Sequence, residues 1–381
     1  MDFDFTWLLW GLPLAFALGW GASRLDLRQW RMESRQAPKA YFRGLNHLLN
    51  EQQDQAIDAF IEAVQGDPDT AELHFALGNL FRRRGDYDRA VRVHEHLLSR
   101  ADLGRKDRDR AQHALALDFL KAGLLDRAEA ALHKLEGSAF EGEALLALLG
   151  IYERSRDWPQ AKQIAQRLED AEQGSFATRL AHYLCEEAEL AQRGGDGAQA
   201  LRLLEEAVQR APQLARGWMA LSQQKAQAGD AAGALEALLR LHQHAPQGLP
   251  LAARTMADLA RQTGRQVEVV ALLQASHERA PSIDITEALA SLSGDPVAVR
   301  ERYLSHLERE PSLVITAQWL AGETLSSASA QARVQLALEQ ASAPLRRYRC
   351  AACGFEARQH FWQCPGCQAW DSYPARRVEE L

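Results

Sequence analysis

The chain has almost no cysteine outside its final residues. Of the five cysteines in 381 residues, only Cys185 lies outside the tail, and we expect it to be a small buried residue on a packing face. Such a distribution excludes a spread-out disulfide framework and favours a reducing compartment. The other four form one group: Cys350, Cys353, Cys364 and Cys367.

A basic excess is also missing. The formal net charge is −7, whereas proteins that bind nucleic acid usually carry a strong positive excess. The composition, 46% hydrophobic and 25% charged, is that of a globular protein with a sizeable core. We therefore predict no nucleic-acid partner.

No catalytic motif stands out in the sequence. The histidines of the body form no H-E-x-x-H pattern and no Ser/His/Asp set that spacing supports. The GGDG stretch at 194–197 follows no strand and lacks the Gly-Lys-Ser/Thr of a phosphate loop, so it is typical of a turn between helices. The sequence therefore predicts a protein that is not an enzyme.

Charge is absent from Phe5 to Ala22, eighteen residues that as a helix would extend about 27 Å. This predicts a transmembrane anchor at 1–23 and a basic juxtamembrane linker at 24–36. A cleaved signal peptide is the alternative, but it needs basic residues before the apolar run, where Asp2 and Asp4 stand instead. Arginines follow the run, so the positive-inside rule predicts a single-pass membrane protein with a periplasmic N-terminus and a cytoplasmic body.

Residues 37–281 contain a 34-residue period, the length of a tetratricopeptide repeat made of two antiparallel helices. About seven repeats are recognisable, and residues 282–345 keep helical periodicity in degenerate repeats that we expect to form a cap. The predicted fold class is all-α, a superhelical solenoid of tetratricopeptide repeats. The alanines expected where paired helices approach closely are Ala56, Ala90, Ala128, Ala161, Ala200 and Ala234.

Other residues of the repeat are expected to allow close helix packing, to form turns or to end helices. Gly44 and Gly78 stand where a larger side chain would force helices apart, and Gly85 with Asp86 is expected to form a turn. Prolines such as Pro68 are expected to end the second helix of a repeat, since proline cannot continue it.

A partner surface is the main functional implication of such an array, because stacked helix pairs form concave binding surfaces. Asn79, Arg82 and Arg83 lie on the predicted inner-helix face of the second repeat. A clamp for a C-terminal carboxylate would need matching polar groups on the first repeat, but that repeat has Tyr41, Leu45 and Leu48 there, so we do not expect such a clamp. Partner contact and simple solvation of the arginines both remain open for this face.

The tail, residues 346–381, contains two Cys-x-x-Cys pairs separated by ten residues. Two such pairs can complete a tetrahedral tetrathiolate site for one metal ion. A disulfide is disfavoured by the predicted compartment, and a redox dithiol lacks a surrounding βαβ pattern. Zinc and iron both suit four sulfur ligands, so the identity of the ion stays open.

A module of about thirty residues needs support beyond aliphatic packing. Phe355, Phe361, Trp362 and Trp370 are expected to supply its small core. Gly354 and Gly366 are expected to form tight turns that direct backbone N–H groups towards the sulfurs.

The whole chain resembles the lipopolysaccharide assembly protein B family. The stretches that carry the resemblance are YRCAACGF, FWQCPGCQAW and the first two repeats. The resemblance implies a rubredoxin-like module whose metal ligands are the four tail cysteines, and a bacterial inner-membrane location. It further implies a non-catalytic adaptor that regulates lipopolysaccharide synthesis. The implied partners are a membrane-bound AAA+ metalloprotease, the deacetylase committing precursors to lipid A, a periplasm-sensing regulator and other lipopolysaccharide assembly proteins.

Two alternative functions accompany this reading. An iron-loaded tail would make the chain a rubredoxin-like electron carrier, although the sequence has no flavin or nicotinamide fingerprint. A general scaffold or co-chaperone unrelated to lipopolysaccharide would use the same repeats.

Overall fold

The computed structural model describes residues 15–20, 39–40, 42–66, 70–324 and 327–381. Residues 15–20 are helical, while the rest of the predicted anchor and the whole predicted linker at 24–36 lie outside the described residues. Within the described part of the chain, no helix is both long and apolar enough to span a membrane. The chain divides into two compact units, Met1–Ile151 and Tyr152–Leu381.

The first unit is built from consecutive helices joined by short turns. Residues 42–49 are helical, and Gly85 ends one of the later helices in the left-handed conformation, with φ of +89°, directly before Asp86 starts the next. This confirms the predicted turn. The helices that follow residue 49 are Gln53–Gly66, Ala71–Arg84, Tyr87–Ser99, Arg105–Ala122 and Leu125–His133, and Glu141–Ser155 begins in this unit.

Close helix approach in the first unit depends on the predicted small residues. A Cβ atom added to Gly44 would lie 2.8 Å from the Phe60 ring, and one added to Gly78 would lie 2.5 Å from Nε2 of His94. Ala56 and Ala90 are fully buried. The same holds for Ala128, Ala161, Ala200 and Ala234, so the predicted positions of the small packing residues are confirmed.

Enlarging one of these alanines should therefore destabilise the protein. Ala90→Leu is expected to lower the free energy of unfolding by about 1–3 kcal/mol, because the added carbons have no space at a fully buried position. Chemical denaturation measures the effect, and Ala130→Leu is the matched control, since Ala130 is exposed on a nearby helix. Equal stability of the Ala90→Leu protein and the unmodified protein would contradict the assigned packing.

The second unit continues the pairs and ends in a small β-containing segment. Its two strands, Tyr348–Arg349 and Glu356–Ala357, pair antiparallel with Tyr348 opposite Ala357. Its helices are Trp158–Asp170, Ala177–Arg193, Gly197–Arg210, Ala215–Gln227, Ala231–His244, Leu249–Thr263, Gln266–Arg279, Ile283–Leu292, Pro296–Arg309, Leu313–Ala321 and Ala328–Ser342, with 3-10 turns at Pro246–Gly248 and Val378–Glu380.

The degenerate region has a simple structural origin. Pro281 and Pro311 each follow the second helix of a pair, but they are closer together in sequence than the 34-residue period requires. The first helix of this pair, Ile283–Leu292, has only 10 residues, whereas Leu249–Thr263 in the preceding pair has 15. A shortened first helix thus moves the proline out of phase while the pairing of helices continues.

The first helices of successive pairs also contact one another. Leu249–Thr263 packs against both its own partner helix and Ile283–Leu292, the first helix of the next pair. We use the term first-helix face for the side formed by Ala177–Arg193, Ala215–Gln227, Leu249–Thr263 and Ile283–Leu292. The metal module, residues 346–381, lies against this face.

Candidate metal centre

The four tail cysteines converge on one point. Their sulfur atoms all lie within 4.8 Å of one another. Sγ of Cys350 is 3.8 Å from Sγ of Cys367, and Sγ of Cys353 is 3.7 Å from Sγ of Cys364. Each of these distances joins one pair to the other, so the two Cys-x-x-Cys segments interlock.

Two matching backbone turns place the thiols. The N–H of Cys350 donates to the carbonyl of Phe355 at 2.9 Å, and the N–H of Cys364 donates to the carbonyl of Ala369 at 2.9 Å. The residue after each pair has a positive φ, +77° at Gly354 and +62° at Gln368. Gly354 therefore has the predicted turn role, whereas in the second segment that conformation belongs to Gln368.

The local electrostatics favour thiolates at the two buried positions. Burial opposes ionisation of Cys350, but the Ser372 hydroxyl and the amides of Cys353 and Ala352 outweigh it and lower the pKa of that thiol to about 6. At Cys364 burial is likewise outweighed, here by the amides of Cys367 and Gly366, and the pKa of the thiol is lowered. Thiolates are the form in which cysteine binds metal.

The sulfur geometry fits a single tetrahedral ion. With metal–sulfur bonds of about 2.3 Å, the edge of a regular tetrahedron is about 3.8 Å, close to the two measured separations. Cys350, Cys353, Cys364 and Cys367 would hold such an ion, and zinc and iron both accept this ligand set. A closed tetrathiolate leaves no open position for substrate, so its chemistry is structural or limited to electron transfer.

The module's core differs from the prediction. It consists of Tyr348, Cys350, Cys364 and Tyr373, with Phe361 and Leu251 of the helix array packed against it. Phe355 is 45% exposed. Trp362 packs against the core of the helix array, and the ring of Trp370 lies edge-on to Trp158 at 6.2 Å. The prediction was wrong for these tryptophans and Phe355 because the module folds against a large apolar surface instead of burying its aromatic residues internally.

One docking contact is a polar pair in the first-helix face. His182 is fully buried, and its Nε2 donates to the carboxylate of Asp371 at 2.9 and 3.0 Å. Nη1 of Arg216 lies 3.5 Å from Nδ1, which fits an imidazole with its proton on Nε2. Burial, assisted by Arg216, lowers the pKa of His182 despite the opposing effect of Asp371. The neutral ring thus joins the module to the array.

Trp370 adds a second contact beside this pair. Its indole N–H donates to Oε1 of Glu153 at 3.1 Å, and its ring centroid lies 4.4 Å from that of His182. Glu153 also accepts a hydrogen bond from the hydroxyl of Tyr183. The indole is therefore fixed by both stacking and hydrogen bonding.

Arg377 anchors the opposite side of the module. Its guanidinium forms a bidentate pair with Asp284, at 2.6 and 2.9 Å, and donates to the carbonyl of Arg346 at 2.8 Å. It also lies 4.2 Å from the centre of the Tyr348 ring. The guanidinium group of Arg377 thus connects the C-terminal end of the chain to a helix of the array, through Asp284, and to the first strand, through Tyr348.

The last glutamates cap two helices. Glu379 accepts hydrogen bonds from the amides of Leu313 and Val314, at 2.5 and 3.2 Å, at the start of Leu313–Ala321. Glu380 accepts a hydrogen bond from the amide of Ile283, at 2.7 Å, at the start of Ile283–Leu292. A carboxylate at a helix N-terminus satisfies unpaired amides and complements the helix dipole. The chain end is therefore part of the fold of the array.

Next to the module, a cavity of about 490 Å³ opens on the first-helix face. Met219 and Leu238 contribute apolar wall from the array, and Trp362 contributes wall from the module. Arg216, only 5% exposed, also lines it and pairs with Glu186 and Glu189 at 2.8 and 2.9 Å. The array and the module together form this concave surface.

The predicted partner residues of the second repeat have different environments. Arg82 donates to Asp118 at 2.9 Å, to the carbonyl of Ala114 at 3.1 Å and to Oδ1 of Asn79 at 2.6 Å. Asp118 is fully buried and also pairs with His94. Arg83 is exposed. Arg82 and Asn79 therefore have a role inside the repeat packing, and partner binding by all three residues stays a prediction.

Sequence reasoning did not identify the docking residues. His182 belongs to an ordinary amphipathic helix, and its partner Asp371 is 189 positions away. No local spacing marks such a pair. The charged ARRVEE stretch at 375–380 was the one available signal, because buried charges need partners and this stretch supplies Arg377, Glu379 and Glu380.

Comparisons with known proteins agree with both parts of the chain. Residues 348–373 match a family model described as a rubredoxin metal binding domain, and residues 73–109 match a tetratricopeptide repeat. A solved tetratricopeptide repeat protein from Parabacteroides merdae is 14% identical, with a TM-score of 0.35 over 67% of this chain and 98% of its own.

Relatives match nearly the whole chain, and two of them are described here. Lipopolysaccharide assembly protein B of Escherichia coli strain K12 is 31% identical over 97% of this chain and 98% of its own length. The protein of the same name from Haemophilus influenzae is 25% identical over 95% of this chain and 96% of its own. The repeats, the four-cysteine module and this end-to-end similarity lead to one conclusion: the chain belongs to the lipopolysaccharide assembly protein B family.

Proposed function

We propose that this protein is a non-catalytic adaptor that regulates lipopolysaccharide synthesis at the cytoplasmic side of the bacterial inner membrane. It promotes degradation of the deacetylase that commits precursors to lipid A, by bringing it to the membrane-bound AAA+ metalloprotease. The proposal rests on one observation, which we call the composite face. It is the concave surface that Arg216, Met219 and Leu238 of the helix array form together with Trp362 of the metal module. The names of the full-length relatives supply the link to lipopolysaccharide.

The composite face suits protein binding better than chemistry. Its cavity combines apolar walls from Met219, Leu238 and Trp362 with the charge network of Arg216. Apolar anchors beside a few fixed polar groups are typical of sites that hold a partner's side chains. Cys350, Cys353, Cys364 and Cys367 would hold the metal ion, zinc or iron, and the module folded around it would keep Trp362 against the helix array.

The charge-free segment from Phe5 to Ala22 supports a membrane anchor in this proposal. Tethering confines the adaptor to the surface where a membrane protease works, which raises the effective concentration of each for the other. A periplasm-sensing regulator and other lipopolysaccharide assembly proteins are the further partners we propose. The signal from the regulator would then set how much deacetylase is delivered.

The partners can be identified by crosslinking in intact membranes. Full-length tagged protein is crosslinked in cells, purified with its metal content measured, and analysed by mass spectrometry. We expect the protease and the deacetylase among the captured proteins, and we expect Trp362→Ala to reduce their recovery while Phe355→Ala, an exposed aromatic of the same module, leaves it unchanged. Capture of unrelated proteins alone, with neither enzyme enriched, would favour a general scaffold instead.

A further inference from the structure

A second cavity, of about 320 Å³, lies where the module's last residues meet the ends of the second helices. Arg279, from the array, and Arg376, from the module, both line it. No aspartate or glutamate of the described chain contributes to its lining. The cavity therefore has a surplus of positive charge and is separate from the metal centre and from the composite face.

Three polar groups on its walls have no hydrogen-bond partner in the described structure. They are the hydroxyls of Ser276 and Ser282 and Nδ1 of His242. Ser282 is only 2% exposed. Burying a hydroxyl without a partner costs free energy, and the two unpaired hydroxyls can each donate to a ligand that supplies acceptors.

Acidic residues lie close to the two arginines. Glu310, Glu379 and Glu380 line an adjoining cavity together with Arg279 and Arg376, and burial raises the pKa of Glu380 although the charge of Arg376 opposes that shift. The carboxylates of Glu379 and Glu380 accept hydrogen bonds from helix amides. Within the described residues, no carboxylate oxygen lies within 4.0 Å of a guanidinium nitrogen of either arginine. Burial, followed by the charge of Arg279, lowers the pKa of His242.

We propose that this cavity binds the phosphate group of a small phosphomonoester. Two arginines and two serines with unpaired hydroxyls line it, and a phosphomonoester offers three strongly accepting oxygens and close to two negative charges. A carboxylate has fewer acceptor sites and half the charge.

The remaining wall limits what the phosphate can be attached to. It is formed by apolar side chains such as Leu249, Pro250 and Ile285, and the volume is at the lower end for ligand cavities. A sugar phosphate or a lipid headgroup with part of its glycerol fits this size, whereas a folded macromolecule does not. Both sources share the phosphomonoester, and they differ in whether an acyl chain lies on the apolar wall.

Calorimetric titration of the full-length protein in phosphatidylcholine nanodiscs tests the proposal. The probes are inorganic phosphate, dihexanoyl phosphatidate and, as a carboxylate control, acetate, all at constant ionic strength. We expect saturable binding of phosphate, about tenfold weaker in the Arg279→Gln/Arg376→Gln protein and about threefold weaker in Ser282→Ala. Arg254→Gln, an exposed arginine outside the lining, is the matched control and should bind as the unmodified protein does.

The lipid probe separates the two sources. Tighter binding of dihexanoyl phosphatidate than of phosphate would assign a lipid headgroup, and equal binding would assign a water-soluble phosphomonoester; both support the site. Three results would overturn it: no saturable phosphate binding, equal affinity for acetate, or unchanged affinity in both the double variant and Ser282→Ala. Because Ser282→Ala removes only an unpaired hydroxyl, its fold should persist even if the arginine variant were destabilised.

Discussion

Replacing Cys364 with serine is expected to release the metal ion and unfold the module. Cys364 is a fully buried ligand whose sulfur lies 3.7 Å from that of Cys353, so its loss opens the tetrahedron and leaves three thiolates. Structural zinc sites contribute on the order of 10 kcal/mol or more to the folding of small domains, far more than this module's few buried side chains can replace. Metal analysis should fall from about one ion per chain to nearly none.

The consequences should extend into the array. Trp370, Arg377 and Glu380 contact the array only while the module is folded, so hydrogen exchange at the start of Ile283–Leu292 should increase in the Cys364→Ser protein. Cys185→Ala is the matched control. Cys185 is a fully buried cysteine outside the site, and burial raises the pKa of its thiol to about 11. Stoichiometric metal in Cys364→Ser would show the ligand assignment to be wrong.

Arg377→Ala is expected to undock the module without releasing the metal. The substitution leaves Asp284, whose side chain is 14% exposed, without its bidentate partner, and it removes the cation from the Tyr348 ring. Removing one member of a largely buried ion pair typically costs about 3–5 kcal/mol, and partial exposure of Arg377 places the expected loss of stability near about 3 kcal/mol.

Two readouts distinguish undocking from metal loss. Metal content should stay at the unmodified level, because no ligand is changed, while proteolysis of the tail should become faster. Arg376→Ala is the matched control: the neighbouring arginine is exposed and forms no ion pair within the described chain, so its loss should leave the tail protected. A protected tail in Arg377→Ala would mean that the module docks by its apolar surface alone.

The repeats and the metal site could be read from sequence because each depends on short spacings. A 34-residue period fixes which alanines meet a neighbouring helix, and all six of those predicted are fully buried. Two Cys-x-x-Cys pairs define a ligand set wherever the segment lies in the fold. Short-range patterns of this kind can be recognised in a single sequence.

Docking of the module could not be read in the same way. His182 pairs with Asp371, and Asp284 with Arg377, across 189 and 93 positions that no period relates. The tryptophans show the same limit, since an aromatic residue next to a metal ligand can face its own module or another surface. Arg82 illustrates the reverse case: its charge suggested a partner surface, and its contact with buried Asp118 depends on a helix more than thirty residues further along the chain.

Turnover of the deacetylase in living cells tests the adaptor proposal most directly. After synthesis is stopped, the half-life of the deacetylase is measured in cells with the unmodified protein, with Cys364→Ser, with Cys185→Ala, and without the protein. The proposal predicts a longer half-life in cells without the protein and in those with Cys364→Ser, because the composite face needs a folded module, and an unmodified half-life with Cys185→Ala. An unchanged half-life in cells that lack the protein would contradict it.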